Sequence, residues 1–536
     1  MRLCVVGIGG CGFKVAQEFL GNVDLDLSIV SRLTKADYTT MGGIKGIWIE
    51  SNRQEAVKQN FFKDLNKDPI AYPGFFIPHD KIQPGSPVHK KVSEIYGFDL
   101  KKQGYVRAAQ YLKSIYEIFE NDESIYGVSR ETLGSSNPIF ESSWKAISQY
   151  TTLAGGKCEG ILFIISLGGG TGTGFVNPIV KNIRDTGTKD YLVFALGVLT
   201  EEQDELSGQQ QDLPKRNLGA TISIYDLVTK RDGVDGLIIF DNQILCNKFG
   251  TEYGTYNAVN SNLYQIMRPL VAGRYYPSDA TDGQAVATNL REGTLQPPLL
   301  VPCYSSRKRR GSKEADLVNL ALDQDGRYMG CDPTMAEKVF VFCRGFFDIG
   351  KIETAIREYI PTLDELDARG NKKKNINVWR KLSDDRVHEM LILLRNPFGS
   401  PGAYERAGTL EWRLHRVISS AIDYLKYNRG IILEEIQDPE AKEDETVKLT
   451  KVTRDALESY FYGENGLLRE LDLARIRLEK GERGIFRRPI SIFDGGRSPG
   501  RESSSLGIDD AGLTDIQRDQ IQKMIQEKFD AMGFKA

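Results

Sequence analysis

Residues 161–174 read ILFIISLGGGTGTG. The first seven are continuously apolar apart from Ser166, without the polar alternation of a strand that has one wet face. They are therefore expected as a strand buried on both faces, as in a parallel sheet covered by helices. The strand runs straight into five glycines and two threonines within residues 168–174, and a helical pattern opens at Phe175. Strand, glycine turn, helix is the arrangement that aims backbone N–H groups at an anion with the helix dipole behind them. Glycines at this density let main chain approach a di- or triphosphate closely, and the hydroxyls of Thr171 and Thr173 add donors.

The same arrangement recurs at the N-terminus. Residues 1–7 are apolar and β-prone, Gly7, Gly9, Gly10 and Gly12 follow, and Val15, Ala16, Phe19 and Leu20 then recur at helical spacing. Further strands are expected at 46–50, 191–199 and 236–240 with helical stretches between them, which predicts an α/β, open, mostly parallel, doubly wound (Rossmann-like) sheet. Ligands of such sheets sit at the carboxyl ends of the strands. A helix over 255–271 leads to a second α+β region with strands at 338–342 and 390–395. Past residue 396 the pattern is helical, longest over 403–427 and 454–482. Residues 60–100, punctuated by Pro69, Pro73, Pro78, Pro84 and Pro87, read as an irregular insertion. Helices are expected over 105–120 and 142–150. Residues 495–507 (GGRSPGRESSSLG) read as a linker. An amphipathic helix over 513–532 follows, either docking on its own domain or recruiting a partner.

Bulk composition excludes several classes. The chain has 536 residues, 40% hydrophobic and 27% charged, with mean hydropathy −0.35, the profile of an ordinary globular protein. No stretch approaches the length of a membrane-spanning helix and no signal-peptide core is present, so a cytoplasmic protein is expected. The 70 basic and 73 acidic side chains leave a net charge of −3, which argues against a dedicated nucleic-acid binder. Arg307, Lys308, Arg309 and Arg310 form a local basic cluster, read as a solvated loop or an anion or partner contact. Seven scattered cysteines indicate neither a disulfide framework nor a zinc site. There is no G-x-x-x-x-G-K-[ST], so neutralisation of bound phosphate falls to backbone dipoles and a metal, with Mg²⁺ the expected ion.

These motifs resemble the tubulin/FtsZ family. GGGTGTG at 168–174 is similar to that family's signature loop, and GIGGCGFK at 7–14 to its first phosphate loop. The resemblance implies that Gly9, Gly10 and Cys11 face the phosphates from one side, while Gly168, Gly169, Gly170, Thr171, Gly172, Thr173 and Gly174 clasp them from the other. Glu50 and Asn52 resemble the second loop, near the γ-phosphate and its metal. Gly104, Arg107 and Ala108 resemble the end of the third. Asn242, after Phe240 and Asp241, resembles the residue that reads guanine. Tyr256 would stack on the purine and Asn260 would read its edge from the start of a central helix. Glu201 stands in the acidic ribose-side loop, where a solvated face is an equal reading.

The implied activity is GTP binding, head-to-tail self-polymerisation into filaments, and hydrolysis of GTP to GDP at the subunit interface, with GTP/GDP and Mg²⁺ as cofactors. The implied domains are a GTP-binding domain (1–254), a central helix (255–275), a second, activation domain (276–397), a C-terminal helical region (398–494) and a linker with terminal helix (495–536). That tail is a site for an adaptor or membrane tether. Asp279 and Asp282 would orient the attacking water on a neighbour's nucleotide. The segment before them is about three residues shorter than the family's, and Pro277 replaces its usual Asn. A gap placed later, anchored on residues 287–290, puts Asp282 first and Ala285 second, which implies slow or absent hydrolysis and a nucleotide-binding scaffold. A nicotinamide-dependent oxidoreductase is a remote alternative. The second strand ends at Glu50, too far past Gly12 for that motif's ribose-binding acid.

Overall fold

The computed structural model describes residues 3–21, 45–50, 74–76, 160–169, 172, 176, 180, 184, 192–200, 213–229, 233–250, 256–271, 274–275, 283–291, 297–308, 313–364, 375–382, 387–400, 402–430 and 458–486 without 459, 460, 465, 483 and 484. For 45–50, 74–76 and 274–275 the backbone alone is described. The expected helices at 105–120, 142–150 and 513–532, the linker at 495–507 and the third-loop residues Gly104, Arg107 and Ala108 lie outside the described residues.

The described elements of the first half are β1 (Leu3–Ile8), α1 (Gly9–Gly21), β2 (Lys45–Glu50), β3 (Gly74–Phe76), β4 (Gly160–Ser166), β5 (Leu192–Leu199), α2 (Leu213–Thr229), β6 (Gly236–Asp241), α3 (Asn242–Phe249) and the central helix α4 (Asn257–Val271). Next come β7 (Arg274–Tyr275), α5 (Gly283–Arg291), β8 (Leu299–Lys308), α6 (Glu314–Leu322), β9 (Lys338–Arg344), α7 (Ile349–Tyr359), β10 (Ile376–Leu382) and β11 (Val387–Arg395), then α8 (Leu410–Tyr427) and α9 (Leu467–Glu479). The described strands form one mixed sheet of 11, in the order β3-β2-β1-β4-β5-β6-β8-β11-β9-β10-β7.

The first six strands of that order are parallel throughout. This follows from the sequence: β4, β5 and β6 are buried along almost their whole length, and only a sheet covered on both faces accommodates such runs. One apolar layer gathers α2, α6, α7, α8 and α9 against the sheet, and a second gathers α1, α4 and α5. The halves join where β6 and β8 run parallel, Leu237 opposite Leu299 and Ile238 opposite Leu300.

Several boundaries differ from the sequence expectations for local reasons. Within the supposed irregular stretch at 60–100, Gly74–Phe76 forms the edge strand β3 beside β2; Pro73 just ahead of it is compatible with an edge strand but hides it in the sequence. Arg307 and Lys308 are not loop residues: they end β8, opposite His388 and Val387 of β11, and Arg307 makes an exposed 3.3 Å ion pair with Asp316. The expected helix over 403–427 is split. A 3₁₀ turn spans Ala403–Glu405, Gly408 takes φ 84°, and the Thr409 hydroxyl then caps α8 by accepting from the Trp412 N–H at 3.2 Å. The helix expected over 454–482 is interrupted at Gly463 and Gly466, and α9 begins at Leu467.

Candidate functional site

In the order β3-β2-β1-β4-β5-β6, chain direction through the sheet reverses between β1 and β4, and the crevice outside the carboxyl ends of these two strands is the ligand site of doubly wound folds. Both glycine turns emerge there. Gly9, the first residue of α1, has φ 76°, a left-handed conformation that a side chain disfavours. It turns β1 into the helix without an intervening loop. The first turn of α1 carries no acidic residue, so its unsatisfied N–H groups and the positive end of the dipole are not neutralised from within the turn.

Gly12 presses α1 onto the sheet: a Cβ there would stand 2.0 Å from the Ile164 carbonyl oxygen of β4. After β4, Leu167 N–H donates to Val198 O at 2.9 Å and Gly169 N–H to Ser166 O at 3.2 Å, closing a tight turn. Gly168 sits against β5, where a Cβ would meet Thr200 Cγ2 at 2.5 Å. Gly172 returns to β1, where a Cβ would lie 3.2 Å from Ile8 O. Of the second turn, Gly168 thus stands at the end of β5 and Gly172 at the end of β1, beside Ile8, the residue that precedes α1. From Gly172 the chain is helical at Val176, Val180 and Arg184. Gly10 and Cys11 are partly exposed in the same first turn. Burial pushes the Cys11 thiol up to about 11, against a small opposing pull from Lys14, so it is a neutral donor at physiological pH and does not repel a phosphate.

The residues expected to read a base stand at the next strand end. Asn242 is the first residue of α3, and Asp241, ending β6, caps it through Oδ1, which accepts from the Gln243 N–H at 3.0 Å. Tyr256 and Asn260 bracket the first turn of α4, with Asn260 N–H donating to Tyr256 O at 2.8 Å. Asn260 is 7% exposed and Tyr256 is half-buried. Residues four apart share a helix face. The start of α4 is locked to α1 by Ser261 Oγ donating to Glu18 Oε2 at 2.7 Å and by edge-on contact of Phe19 with Tyr264 at 5.3 Å between ring centroids. The glycine helix and the Tyr256–Asn260 turn are thereby held as one body.

The far end of α4 is anchored in the second half of the sheet. Arg268 meets the Glu389 carboxylate at 2.7 Å and Arg344 meets it at 3.0 Å. Tyr304 donates its hydroxyl to the same group at 2.7 Å. The Lys381 ammonium, fully buried, donates to Leu270 O at the helix C-terminus, where the dipole favours a cation. Sequence reading missed Arg268, Tyr304, Arg344, Lys381 and Glu389; no local pattern marks a set drawn from five separate elements. Immediately beyond, β7 pairs with β10, Tyr275 opposite Lys381, and α5 starts at Gly283. Both ends of the expected acid loop are thus placed, but Asp279 and Asp282 lie outside the described residues. So do Asn52, Gly170, Thr171, Thr173, Gly174 and Glu201; Glu50 ends β2, its backbone alone described.

Among the described residues no helix is long and apolar enough to cross a membrane, and no group of His, Cys, Asp and Glu is arranged to hold a metal ion. The sequence matches no protein-family model and no curated protein sequence. Among solved structures, CetZ from Methanosaeta thermophila strain DSM 6194 aligns with 81% of this chain and 96% of its own, at 14% identity and a TM-score of 0.47, a level of likeness that carries no argument about the site.

Proposed function

We propose that this chain is a tubulin/FtsZ-like GTPase that binds GTP in the β1–β4 crevice, polymerises head to tail and hydrolyses GTP at the interface between protomers. The observation that carries the reading is the convergence of Gly9 and Gly12 of the first turn and Gly168 and Gly172 of the second on the point where a 3-2-1-4-5-6 parallel sheet reverses direction, with Asn242 at the end of β6 and Tyr256 and Asn260 in the first turn of α4. The fit to a polyphosphate is steric and electrostatic. Main chain at Gly12 and Gly168 stands too close to its neighbours for a Cβ, and Gly172 is tightly placed, which holds both turns against the strand ends. The first turn of α1 offers N–H donors without a competing acid.

In this reading Gly9, Gly10 and Cys11 donate from α1, and residues 168–174 wrap the phosphates from the other side. Tyr256 stacks on the purine, Asn242 and Asn260 read its edge, and Glu201 takes the ribose hydroxyls. Glu50 and Asn52 stand on the γ-phosphate side, where Mg²⁺ supplies charge neutralisation when bound. Asp279 and Asp282 of one protomer orient water at its neighbour's γ-phosphate, and positioning of that kind supplies much of phosphoryl-transfer catalysis. Residues 1–254 form the nucleotide domain, 255–275 the segment that holds the central helix α4 and ends in β7, 276–397 the activation domain and 398–494 the helical region. The protein works in the cytoplasm, with residues 495–536 as the place for an adaptor or membrane tether.

The test is light scattering and pelleting with GTP, GDP, ATP and a non-hydrolysable GTP analogue, on wild type and Asp282→Ala. Polymer formed only with GTP or its analogue, and longer-lived in the variant, supports the reading. Nucleotide binding without assembly in any condition favours the scaffold, as Pro277 and the shortened segment before Asp279 imply. Preference for ATP refutes the roles of Asn242 and Asn260.

A further inference from the structure

Arg413 lies on α8, more than 150 residues after the base-reading segment in the sequence, yet its side chain ends between the carboxyl termini of β5 and β6. It is 3% exposed. Its guanidinium donates to the Thr200 carbonyl at the end of β5 and pairs through Nε with Asp241 Oδ2 at 3.3 Å. Each partner belongs to the proposed site. Thr200 Cγ2 occupies the space beside Gly168, 2.5 Å from where a Cβ would stand, so Thr200 forms the floor of the second glycine turn. Asp241 spends its other oxygen, Oδ1, capping the helix whose first residue is Asn242. One guanidinium therefore braces the phosphate side and the base side together, and the brace comes from the C-terminal helices.

Resting on the reading above, we propose that Arg413 is a positioning residue of the nucleotide site, through which α8 fixes the Gly168 turn and the Asn242 turn in register for guanine. The planar fork of arginine suits the task, because it reaches a carbonyl and a carboxylate at once in fixed geometry, which a lysine ammonium does not. Without it, Asp241, a carboxylate at 5% exposure, loses the guanidinium beside its Oδ2, and its hold on the cap of α3 loosens. Thr200 loses the donor that holds its carbonyl. The first change loosens base reading and the second loosens the phosphate turn, so the two are separable by experiment.

The full-length protein is compared as wild type, Arg413→Met, Arg413→Lys, Asp241→Asn and Leu425→Ala. The last removes a fully buried side chain of α8, remote in the helix from Arg413, and controls for general weakening of the C-terminal layer. Competition of GTP and ATP against a fluorescent GTP analogue gives both affinities, and thermal melting of each free protein gives stability. Arg413→Met is expected to weaken GTP binding at least about tenfold and to lower the GTP-over-ATP preference. Asp241→Asn lowers the preference with a smaller loss of affinity, and Arg413→Lys falls between wild type and Arg413→Met. Leu425→Ala melts earlier but keeps the wild-type preference. If Arg413→Met fails to fold, Arg413→Lys carries the test. An unchanged preference in every folded Arg413 variant, or the same change in Leu425→Ala, overturns the proposal by reducing Arg413 to a packing residue. A wild-type protein that retains no guanine nucleotide overturns the functional reading itself and this inference with it.

Discussion

At the scale of single residues, glycines and one cysteine carry the site, and each makes a separable prediction. Gly12→Ala forces a methyl against the Ile164 carbonyl of a central strand, 2.0 Å away. The main chain of β4 has little room to yield, so α1 must lift. Destabilisation at or above the upper end of the about 1–3 kcal/mol for overpacking is expected in urea titration, together with loss of nucleotide binding. Gly219→Ala, inside α2, meets nothing within 4 Å. It should instead stabilise by about 0.5–1 kcal/mol through the better helix propensity of alanine. Cys11→Asp places a carboxylate in the acid-free first turn of α1, where the dipole favours an anion by about 0.3–1 kcal/mol. The burial that raises the Cys11 thiol and its packing against the apolar layer oppose that gain, so the free protein should melt somewhat lower than wild type while GTP affinity collapses. A variant that still binds GTP would contradict the anion site. The glycine turns were legible in sequence because main-chain proximity leaves a compositional trace: only glycine tolerates it. Arg413 left none, since an arginine in an amphipathic helix reads as a solvated face until the fold places it against Asp241.

Among elements, the central helix α4 shows how a local pattern acquires a distant partner. It was legible as a helical stretch over 255–271, but its far end is fastened by Glu389, 1% exposed, between Arg268, Arg344 and Tyr304. Burial, and then the neighbouring carboxylate, hold the Tyr304 phenol protonated well above its ordinary range, so it remains a donor. Glu389→Gln leaves two arginines facing a neutral amide. Removing one partner of a buried ion pair costs about 3–5 kcal/mol, a drop measurable by denaturant titration. Because the network lies at the end of α4 away from Tyr256 and Asn260, GTP affinity should stay within about threefold of wild type, well under the roughly 1.4 kcal/mol that separates a factor of ten. Hydrolysis by polymer should fall much further. Other elements were obscured by single residues. Pro302 lies inside β8, in a run that would otherwise read as a strand; its pairing with β6 extends only through Leu300, so a missing N–H two residues on breaks no ladder with that neighbour. In α8 the start was misplaced because Thr409, the actual cap, follows a glycine turn that periodicity does not register.

Over the whole molecule, the alternation of buried strands and helices made the doubly wound half legible, whereas the join between halves was not. It depends on the short parallel contact of β6 with β8 and on an apolar layer that runs from Val6 through α2 to Leu425 and Phe486. Such a layer is built from contacts far apart in sequence, to which periodicity is blind. Its consequence is that α8 is part of the core: Leu410, Leu414, Val417, Ile418, Ile422 and Leu425 are at most 2% exposed, and Asn217 of α2 donates to Ser420 of α8 at 3.1 Å. Burying those side chains contributes on the order of 10 kcal/mol, comparable to the entire net stability of a typical domain. A chain ended after Arg395 is therefore expected to be insoluble or molten, with an exposed α2 face that binds hydrophobic dye.

The same helix carries a pH signature. Burial raises the Glu411 carboxyl above its ordinary value, only partly opposed by the backbone N–H groups of Glu411, Gly399 and Ser400 and by Arg406. A folded value above the unfolded one, about 4.3, means that its contribution is fully present below that pH and is lost as pH rises through the folded value. Glu411→Gln should therefore melt progressively higher relative to wild type between pH 4 and pH 8. A difference that shrinks or reverses over that range would show that Glu411 is held charged in the native state, and that the first turn of α8 uses its dipole to bind that charge instead of bearing its cost.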